Sequence, residues 1–280
     1  MIIDGHHHLW KIARGDYFWI DPQANPALAA IAHDFALEDF RALARDNGID
    51  GSVVVQAAQT VAETEWLLGQ ARASQGLIRG VVGWVDMAAS DAPETLGRLS
   101  RDKFLRSIRP MLQDIPDVAW VLRPELDPAF RTLIALDLAF DVLVKPPHLQ
   151  HAFTALLRYP DLRVVIDHGA KPQIAVGEWQ PWAHAMRVIA QETGAYCKLS
   201  GLVTEASPEW TIADLRPYAD HLLEHFGADR LMWGSDWPVA LLASDYARWL
   251  DTTQQLLAGL SWSDRAKVMG GNAVKFYKLA

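Results

Sequence analysis

The sequence predicts a (β/α)8 TIM barrel, an α/β fold in which eight parallel strands alternate with helices around a closed sheet. Three observations lead to this prediction: a length of 280 residues, eight short apolar runs, and helical periodicity between them. A barrel of this kind commonly takes about 250 residues. A doubly wound open sheet is the competing architecture, but no Gly-x-Gly-x-x-Gly turn follows any of the runs. We therefore expect one domain over residues 1–280, with a long loop after the first strand and a closing helix at the C-terminus.

The predicted strands are short runs that are almost entirely apolar and rich in β-branched residues. Parallel strands in a barrel are buried on both faces, so continuous apolar runs are expected for them. In chain order the runs are Ile2–His8, Gly51–Gln56, Ile78–Asp86, Phe104–Arg109, Phe140–Lys145, Arg163–His168, Tyr196–Ser200 and Leu231–Asp236.

The segments between the runs repeat apolar residues at spacings of three and four, which is typical of amphipathic helices. Alternating strands and helices predict a parallel sheet, and eight such units predict its closure. The helical segments are Leu37–Arg45, Glu63–Ala73, Ala129–Leu138, Leu149–Arg158, Trp182–Glu192, Leu215–His225 and Tyr246–Leu257, and the tail Asp264–Leu279 is predicted to close the barrel.

The segment Leu9–Asp34 is too long for an ordinary connection between a strand and its helix. It carries the aromatic residues Trp10, Tyr17, Phe18 and Trp19. We expect it to fold over the top of the barrel, where it is either a lid that moves or a packed surface flap.

Composition and charge exclude several classes of protein. The net charge of −8 and the absence of a run of Lys and Arg argue against binding to nucleic acid or to anionic membranes. No apolar run approaches the ~20 residues that a membrane span requires. Cys197 is the only cysteine, so no intrachain disulfide can form, and the start of the sequence lacks the features of a signal peptide. These features predict a cytoplasmic enzyme; whether it forms a homo-oligomer is left open.

The residues that end the predicted strands are the candidates for chemistry, because reactive groups of TIM barrels lie at the C-terminal ends of strands. The first strand contains Asp4-Gly5-His6-His7-His8, and the alternation of side chains along a strand places His6 and His8 on one face. Two neutral imidazoles on a rigid element supply half of a metal site. The other strands contribute Gln56, Trp84, Asp86, Arg109, Lys145 with His148, His168, Ser200 and Asp236.

Asp236 and His168 are the strongest candidates beyond the first strand. Asp236 ends an apolar strand before Trp237-Pro238, where a carboxylate can accept a proton from water or bind a cation. Its alternative role is to cap the next helix. His168 ends another buried strand, where it is either an active-site imidazole or a core histidine with a hydrogen-bond partner.

Four motifs together resemble the amidohydrolase superfamily, in the branch called amidohydrolase 2. They are the His-x-His of His6 and His8, the segment Ile166–Pro172 around His168, the segment Trp233-Gly234-Ser235-Asp236-Trp237-Pro238, and Gly271-Asn272-Ala273. The opening Asp-Gly-His-x-His-x-x-Trp and the element Tyr17-Phe18-Trp19 are most similar to the sugar lactonases of the L-fuconolactonase and L-rhamnonolactonase group.

The resemblance implies roles for four residues. His6 and His8 would be metal ligands or groups that bind an oxyanion, His168 an active-site imidazole, and Asp236 the base that activates water. The sequence has Arg109 at strand four, where two-metal members have a bridging lysine or glutamate, so we do not expect two metals. One divalent cation, zinc in the first place, would be held by His6, His8, Asp236 and His168. Alternatively, His6, His8 and Arg109 polarise the substrate carbonyl without a metal.

The reaction that the resemblance implies is hydrolysis of a small lactone derived from a sugar. Polar strand ends would hold its hydroxyls, and indoles would offer flat apolar faces to the ring. The runner-up is a metal-dependent decarboxylase of an aromatic carboxylate, and the third reading is a barrel that binds a ligand without catalysis. The predicted substrate contacts are Arg109, Gln56, Trp84, Lys145, His148, Ser200 and Trp237.

Overall fold

In the computed structural model, which describes residues 1–279, eight parallel strands form one sheet. Their spatial order is their order along the chain, and each strand pairs with the next. The predicted (β/α)8 TIM barrel is confirmed. The strands are β1 (Ile3–His7), β2 (Gly51–Val55), β3 (Ile78–Gly83), β4 (Leu105–Ile108), β5 (Ala139–Val142), β6 (Val164–Ile166), β7 (Tyr196–Leu199) and β8 (Leu231–Trp233).

The sheet closes between β1 and the residues that follow β8. His7 pairs in parallel with Trp237 across this seam. The backbone N–H of His8 donates to the carbonyl of Trp237 at 2.7 Å, and the N–H of Asp236 donates to the carbonyl of His6 at 2.8 Å. Closure therefore brings the end of β1 and the segment after β8 side by side.

Most helices lie where the periodicity predicts them. The exception is α3, a helix of eight residues that contains Pro93 and Gly97, two residues that weaken a helical pattern in the sequence. The helices are α1 (Leu37–Asp46), α2 (Val61–Ala73), α3 (Ala92–Leu99), α4 (Asp127–Ala135), α5 (Leu149–Arg158), α6 (Trp182–Glu192), α7 (Ile212–Phe226), α8 (Tyr246–Leu256), α9 (Trp262–Ala266) and α10 (Asn272–Tyr277). Among residues 1–279, no helix is long and apolar enough to cross a membrane.

Several strands end earlier than the sequence predicts. β3 ends at Gly83, three residues before Asp86, and β5 ends at Val142, three residues before Lys145. The chain leaves the strand ladder at these points and turns over the rim of the barrel, where backbone groups can be solvated. Polar residues that the sequence assigns to strand ends consequently lie in loops.

The C-terminal segment closes the N-terminal end of the barrel. Ala273, Phe276 and Tyr277 pack in one apolar cluster with Ile3 of β1 and Val53 of β2. The hydroxyl of Tyr277 reaches inside the sheet, where it donates to Asp141 Oδ2 at 2.6 Å. The closing helix predicted from the tail is thus present as α10.

The segment after β1 covers the opposite end, over the C-terminal ends of β1 and β2. The Trp10 indole is buried and donates to the carbonyl of His33 at 2.8 Å. The Trp19 indole donates to the carbonyl of Ala57, which follows β2, at 2.8 Å. Phe18 is exposed. The first bond joins the two ends of the segment to each other and the second joins its middle to the barrel, and its movement as a lid stays a prediction.

Candidate active site

A cavity of about 240 Å³ lies at the C-terminal ends of the strands. This is the end at which TIM barrels carry their active sites. Imidazoles, a carboxylate and a guanidinium form one part of its wall, and apolar side chains form another. The lining residues are His8, Trp19, Ala57, Arg109, Met111, Gln113, Asp114, Leu143, His168, Lys171, Asp236 and Val239.

Three imidazoles surround the Asp236 carboxylate. Its Oδ1 lies 3.3 Å from His8 Nε2, 3.7 Å from His6 Nε2 and 3.8 Å from His168 Nε2. The Nε2 atoms of His6 and His8 are 3.2 Å apart. All four side chains are buried. The structure thus brings together the four residues that the sequence predicts to carry the chemistry.

The alternation of side chains along β1 aims His6 and His8 at this cluster. His7, on the other face, stacks on Phe40 of α1 with ring centroids 3.6 Å apart, and its Nε2 lies 3.0 Å from the Ser52 hydroxyl. His7 is therefore a packing residue, as the alternation predicts for the middle histidine.

His168 and Asp236 reach the cluster from turns that follow β6 and β8. Both have a left-handed backbone, with φ of 54° and 56°. Gly201 allows His168 its position, because a Cβ atom at Gly201 would lie 2.7 Å from the His168 Nδ1. Non-glycine residues rarely adopt this backbone region, and such strain is concentrated at functional sites.

The environment fixes the charges of the cluster. Burial lowers the pKa of His8 below its ordinary value and the pKa of His168 to about 4. Burial, followed by the nearby Lys198 ammonium, also lowers the pKa of His6. Burial alone would raise the pKa of Asp236, but the surrounding imidazoles, His168 foremost, hold it below its ordinary value. At neutral pH the cluster consists of neutral imidazoles around an ionised carboxylate.

The donor atoms fit a single divalent cation. The separations of 3.2, 3.3 and 3.7 Å among His6 Nε2, His8 Nε2 and Asp236 Oδ1 are close to about 3.3 Å, the edge of a tetrahedron with metal–ligand bonds near 2.05 Å. The Nδ1 of His8 lies 2.8 Å from the carbonyl of Val55, which leaves its Nε2 free to bind a metal. The Nδ1 of His168 lies 2.8 Å from the Ser200 hydroxyl, so Ser200 orients this imidazole.

Arg109 brings a cation to the same cavity from the end of β4. Its guanidinium donates to Asp167 Oδ2 at 3.2 Å and to the carbonyl of Gln56, and it lies 3.4 Å from His6 Nε2. These bonds fix the guanidinium beside the imidazoles. The cavity therefore combines a carboxylate that can accept a proton with a cation that can stabilise an oxyanion.

The sequence profile of the amidohydrolase family matches residues 3–279. The chain belongs to the amidohydrolase family. It is 44% identical over 281 residues to L-fucono-1,5-lactonase of Burkholderia ambifaria, covering 99% of this chain and 95% of that protein. The resemblance noted in the sequence is thereby confirmed.

Solved structures agree with this assignment. An amidohydrolase from Burkholderia multivorans, solved with bound zinc, superposes on this amidohydrolase with a TM-score of 0.92 at 33% identity over 100% of both chains. The 5-carboxyvanillate decarboxylase LigW from Sphingomonas paucimobilis superposes with a TM-score of 0.68 at 15% identity, covering 100% of this chain and 99% of that one. The second likeness shows the shared fold only.

Six predicted substrate contacts of this amidohydrolase do not line the cavity. Lys145 is exposed beyond the early end of β5, and the His148 Nδ1 lies 3.2 Å from the Lys145 carbonyl. Trp84 is half-buried outside the cavity, and Trp237 packs edge-on against Phe35. The other two, Gln56 and Ser200, act through cavity residues, since Gln56 donates to the Arg109 carbonyl at 2.7 Å and Ser200 bonds to His168. Of the predicted contacts, only Arg109 lines the cavity.

Two groups of residues were missed by the sequence reasoning. Charged side chains inside a strand or directly after it form the first group, and a charged residue within an otherwise apolar run is the signal that could have revealed them. The second group forms the cavity wall from loops, for which no pattern exists in the sequence. The first group is Asp141, Asp167 and Lys198, and the second is Met111, Gln113, Asp114 and Lys171.

Proposed function

We propose that this amidohydrolase hydrolyses a small lactone derived from a sugar, with L-fucono-1,5-lactone as the first substrate to test. One observation carries the proposal: an ionised Asp236 is held beside three neutral imidazoles and near Arg109 at the wall of one cavity. The identity of 44% to an L-fucono-1,5-lactonase over nearly the whole chain supports the choice of substrate.

The proposed reaction needs a base, a group that stabilises the oxyanion and an acid. The Asp236 carboxylate accepts a proton from a water molecule while the water oxygen attacks the lactone carbonyl. Arg109 and an imidazole N–H stabilise the negative charge that develops on the carbonyl oxygen. When the ring C–O bond breaks, Asp236 returns its proton to the leaving alkoxide. Its lowered pKa keeps Asp236 ionised before the reaction and makes it a ready proton donor afterwards.

We further propose that His6, His8 and Asp236 hold one divalent cation, with His168 beside them. Zinc is the first candidate, because the structure of the Burkholderia multivorans amidohydrolase contains it and because imidazole and carboxylate ligands suit it. A zinc ion would act as a Lewis acid toward the carbonyl and would lower the pKa of a bound water to about 7.

The test is a panel of aldonolactones, assayed with a pH indicator in the presence and absence of chelator. We expect acid release from at least one lactone. Asp236→Asn is expected to lower kcat by about 10²–10⁴-fold, the range associated with a general base. Asp86→Asn is the matched control, because Asp86 is an exposed aspartate that follows β3 outside the cavity.

Two results would count against the proposal. No acid release from any lactone would remove the substrate class, and full activity of Asp236→Asn would remove the carboxylate from the mechanism. Carbon dioxide release from an aromatic carboxylate would favour the decarboxylase, for which the structure offers no specific support. A cytoplasmic location, a role in carbohydrate metabolism and self-association stay predictions from the sequence.

A further inference from the structure

A buried lysine lies below the cavity and has no part in the reaction described above. Lys198 of β7 points inside the barrel and is fully buried. Its Nζ lies 2.6 Å from Asp141 Oδ2, 2.9 Å from Asp167 Oδ1 and 3.0 Å from His6 Nδ1. A buried ammonium is costly unless it is paired, and the two carboxylates on β5 and after β6 supply that pairing. The third contact joins this charged network to the candidate active site.

The hydrogen bond between Lys198 and His6 can have only one donor. An ammonium group can only donate hydrogen bonds, so His6 Nδ1 must be the acceptor. A neutral imidazole has a single N–H, which is therefore on Nε2 of His6.

The neighbour on the other side of His6 is able to accept this proton. His8 Nε2 lies 3.2 Å from His6 Nε2, and His8 Nδ1 lies 2.8 Å from the carbonyl of Val55. Because a carbonyl only accepts, His8 is protonated on Nδ1, and in the neutral ring its Nε2 carries a lone pair that can accept from His6, with Asp236 Oδ1 3.3 Å from the same nitrogen. Each residue in this chain then donates to the next: Lys198 to His6, His6 to His8, and His8 to the carbonyl of Val55.

The competing contacts of His6 are longer. If His6 were protonated on Nδ1, the acceptor would be Asp167 Oδ1, which lies 3.5 Å from that nitrogen. The same N–H would then lie close to the Lys198 ammonium, whose Nζ is 3.0 Å from Nδ1. The Arg109 guanidinium lies 3.4 Å from His6 Nε2, but it has Asp167 Oδ2 as a closer acceptor at 3.2 Å. The shorter bonds on both sides of the ring favour the same tautomer.

We propose that Lys198 is a positioning residue that holds His6 in its Nε2–H tautomer. In the metal-free enzyme His6 consequently carries an N–H on the nitrogen that lies 3.2 Å from His8 Nε2 and 3.7 Å from Asp236 Oδ1. A substrate carbonyl that replaces His8 as the acceptor can be polarised by this N–H. A metal ion can bind His6 Nε2 only after that proton leaves, and it does so near a buried ammonium. Lys198 therefore lowers the affinity of the site for zinc. The role toward a carbonyl rests on the proposed function, whereas the tautomer and the zinc affinity do not.

The tautomer can be measured directly in chelator-treated, 15N-histidine-labelled protein. Two-bond 1H–15N correlation spectra distinguish Nδ1–H from Nε2–H, and a His6→Gln variant assigns the His6 signals. In the wild type we expect an unprotonated Nδ1 and a protonated Nε2. A protonated Nδ1 in the wild type would overturn the proposal without the need for any lysine variant.

The lysine is tested with Lys198→Met combined with Asp141→Asn, so that a buried positive and a buried negative charge are removed together. Asp141→Asn alone is the matched control, because it retains the bond between Lys198 and His6. In the double variant we expect Nδ1–H on His6 and zinc binding at least tenfold tighter than in the control. All titrations use a His225→Gln background, since His221, Glu224 and His225 on α7 form a separate set of possible ligands within 4.8 Å of one another.

The outcomes separate a structural role from the proposed one. If Lys198 only stabilises the fold, the double variant melts at a lower temperature but keeps the wild-type tautomer and zinc affinity, which overturns the proposal. With an active lactone and chelator present, we expect the double variant to lose kcat by more than the control, with a smaller change in KM. Inactivity of the wild type toward all lactones would contradict the proposed function and leave the tautomer result standing.

Discussion

The mouth of the barrel and its interior hold ionisable groups in different ways. At the mouth, Asp236 and His168 face a cavity and keep atoms that a ligand can reach. In the interior, Lys198 is paired with both Asp141 and Asp167, and all three residues are fully buried. We therefore expect the mouth groups to serve the proposed reaction while lowering stability, and the interior groups to act on stability and orientation.

The largest expected effect on stability comes from the interior. Asp141 accepts hydrogen bonds from Lys198, from the Tyr277 hydroxyl at 2.6 Å and from the Ser107 hydroxyl at 2.6 Å. Asp141→Ala leaves a buried ammonium with one carboxylate fewer, so we expect the free energy of unfolding to fall by about 3–5 kcal/mol. Chemical denaturation of the wild type and the variant measures this difference in the free energy of unfolding.

The control for this substitution is Ser107→Ala, which removes one of the three hydrogen bonds and no charge. We expect it to lower the free energy of unfolding by about 1 kcal/mol. If Asp141→Ala is as stable as the wild type, the distinction between interior and mouth fails.

The next effect is the dependence of stability on pH at the mouth. The pKa of His168 is about 4 in the folded protein and 6.5 ordinarily, so the unfolded chain binds the proton more readily between these values. The contribution of His168 is fully present above pH 6.5 and is lost as the pH falls toward 4. The slope is about 1.4 kcal/mol per pH unit at most.

Other buried groups have shifts of the opposite sense, since burial raises the pKa of Asp4 to about 6 and the pKa of Glu63 to about 8. The difference in unfolding free energy between the wild type and His168→Gln isolates the histidine. We expect the wild type to lose stability relative to this variant from pH 6.5 to 4, and His184→Gln, at an exposed position on α6, is the matched control. A constant difference across this range would show that His168 is not held neutral by burial.

The same division explains what the sequence could predict. Alternation along β1 is a local property, and it correctly placed His6 and His8 on one face. The rule that strand ends face one rim correctly brought Asp236 and His168 to them. Lys145 does not line the cavity, because the pattern defines strand ends only to within a few residues and β5 ends three residues before Lys145.

The interior network could not be predicted, because it depends on register across three strands. Asp141 and Lys198 each appear as one charged residue in a short apolar run. The local sequence does not indicate which residue of another strand lies opposite either of them. The pairing of Asp141 with Val165, and of Val165 with Tyr196 two residues before Lys198, sets the heights at which the charges meet. Closure of the barrel, rather than local pattern, creates the bond between Lys198 and His6.

The smallest expected effect concerns Trp19, which belongs to the wall of the cavity and to neither charged group. Its indole lines the cavity and donates to the Ala57 carbonyl at 2.8 Å, which also anchors the segment after β1. Trp19→Ala is expected to raise KM for the lactone about fivefold, the equivalent of about 1 kcal/mol, with little change in kcat. Trp19→Phe keeps an aromatic face without the N–H and is expected to recover most of this loss. If Trp19→Phe raises KM as much as Trp19→Ala does, the indole acts by anchoring the segment and not by contact with the substrate. An equal loss of kcat in both variants would instead place Trp19 with the groups at the mouth.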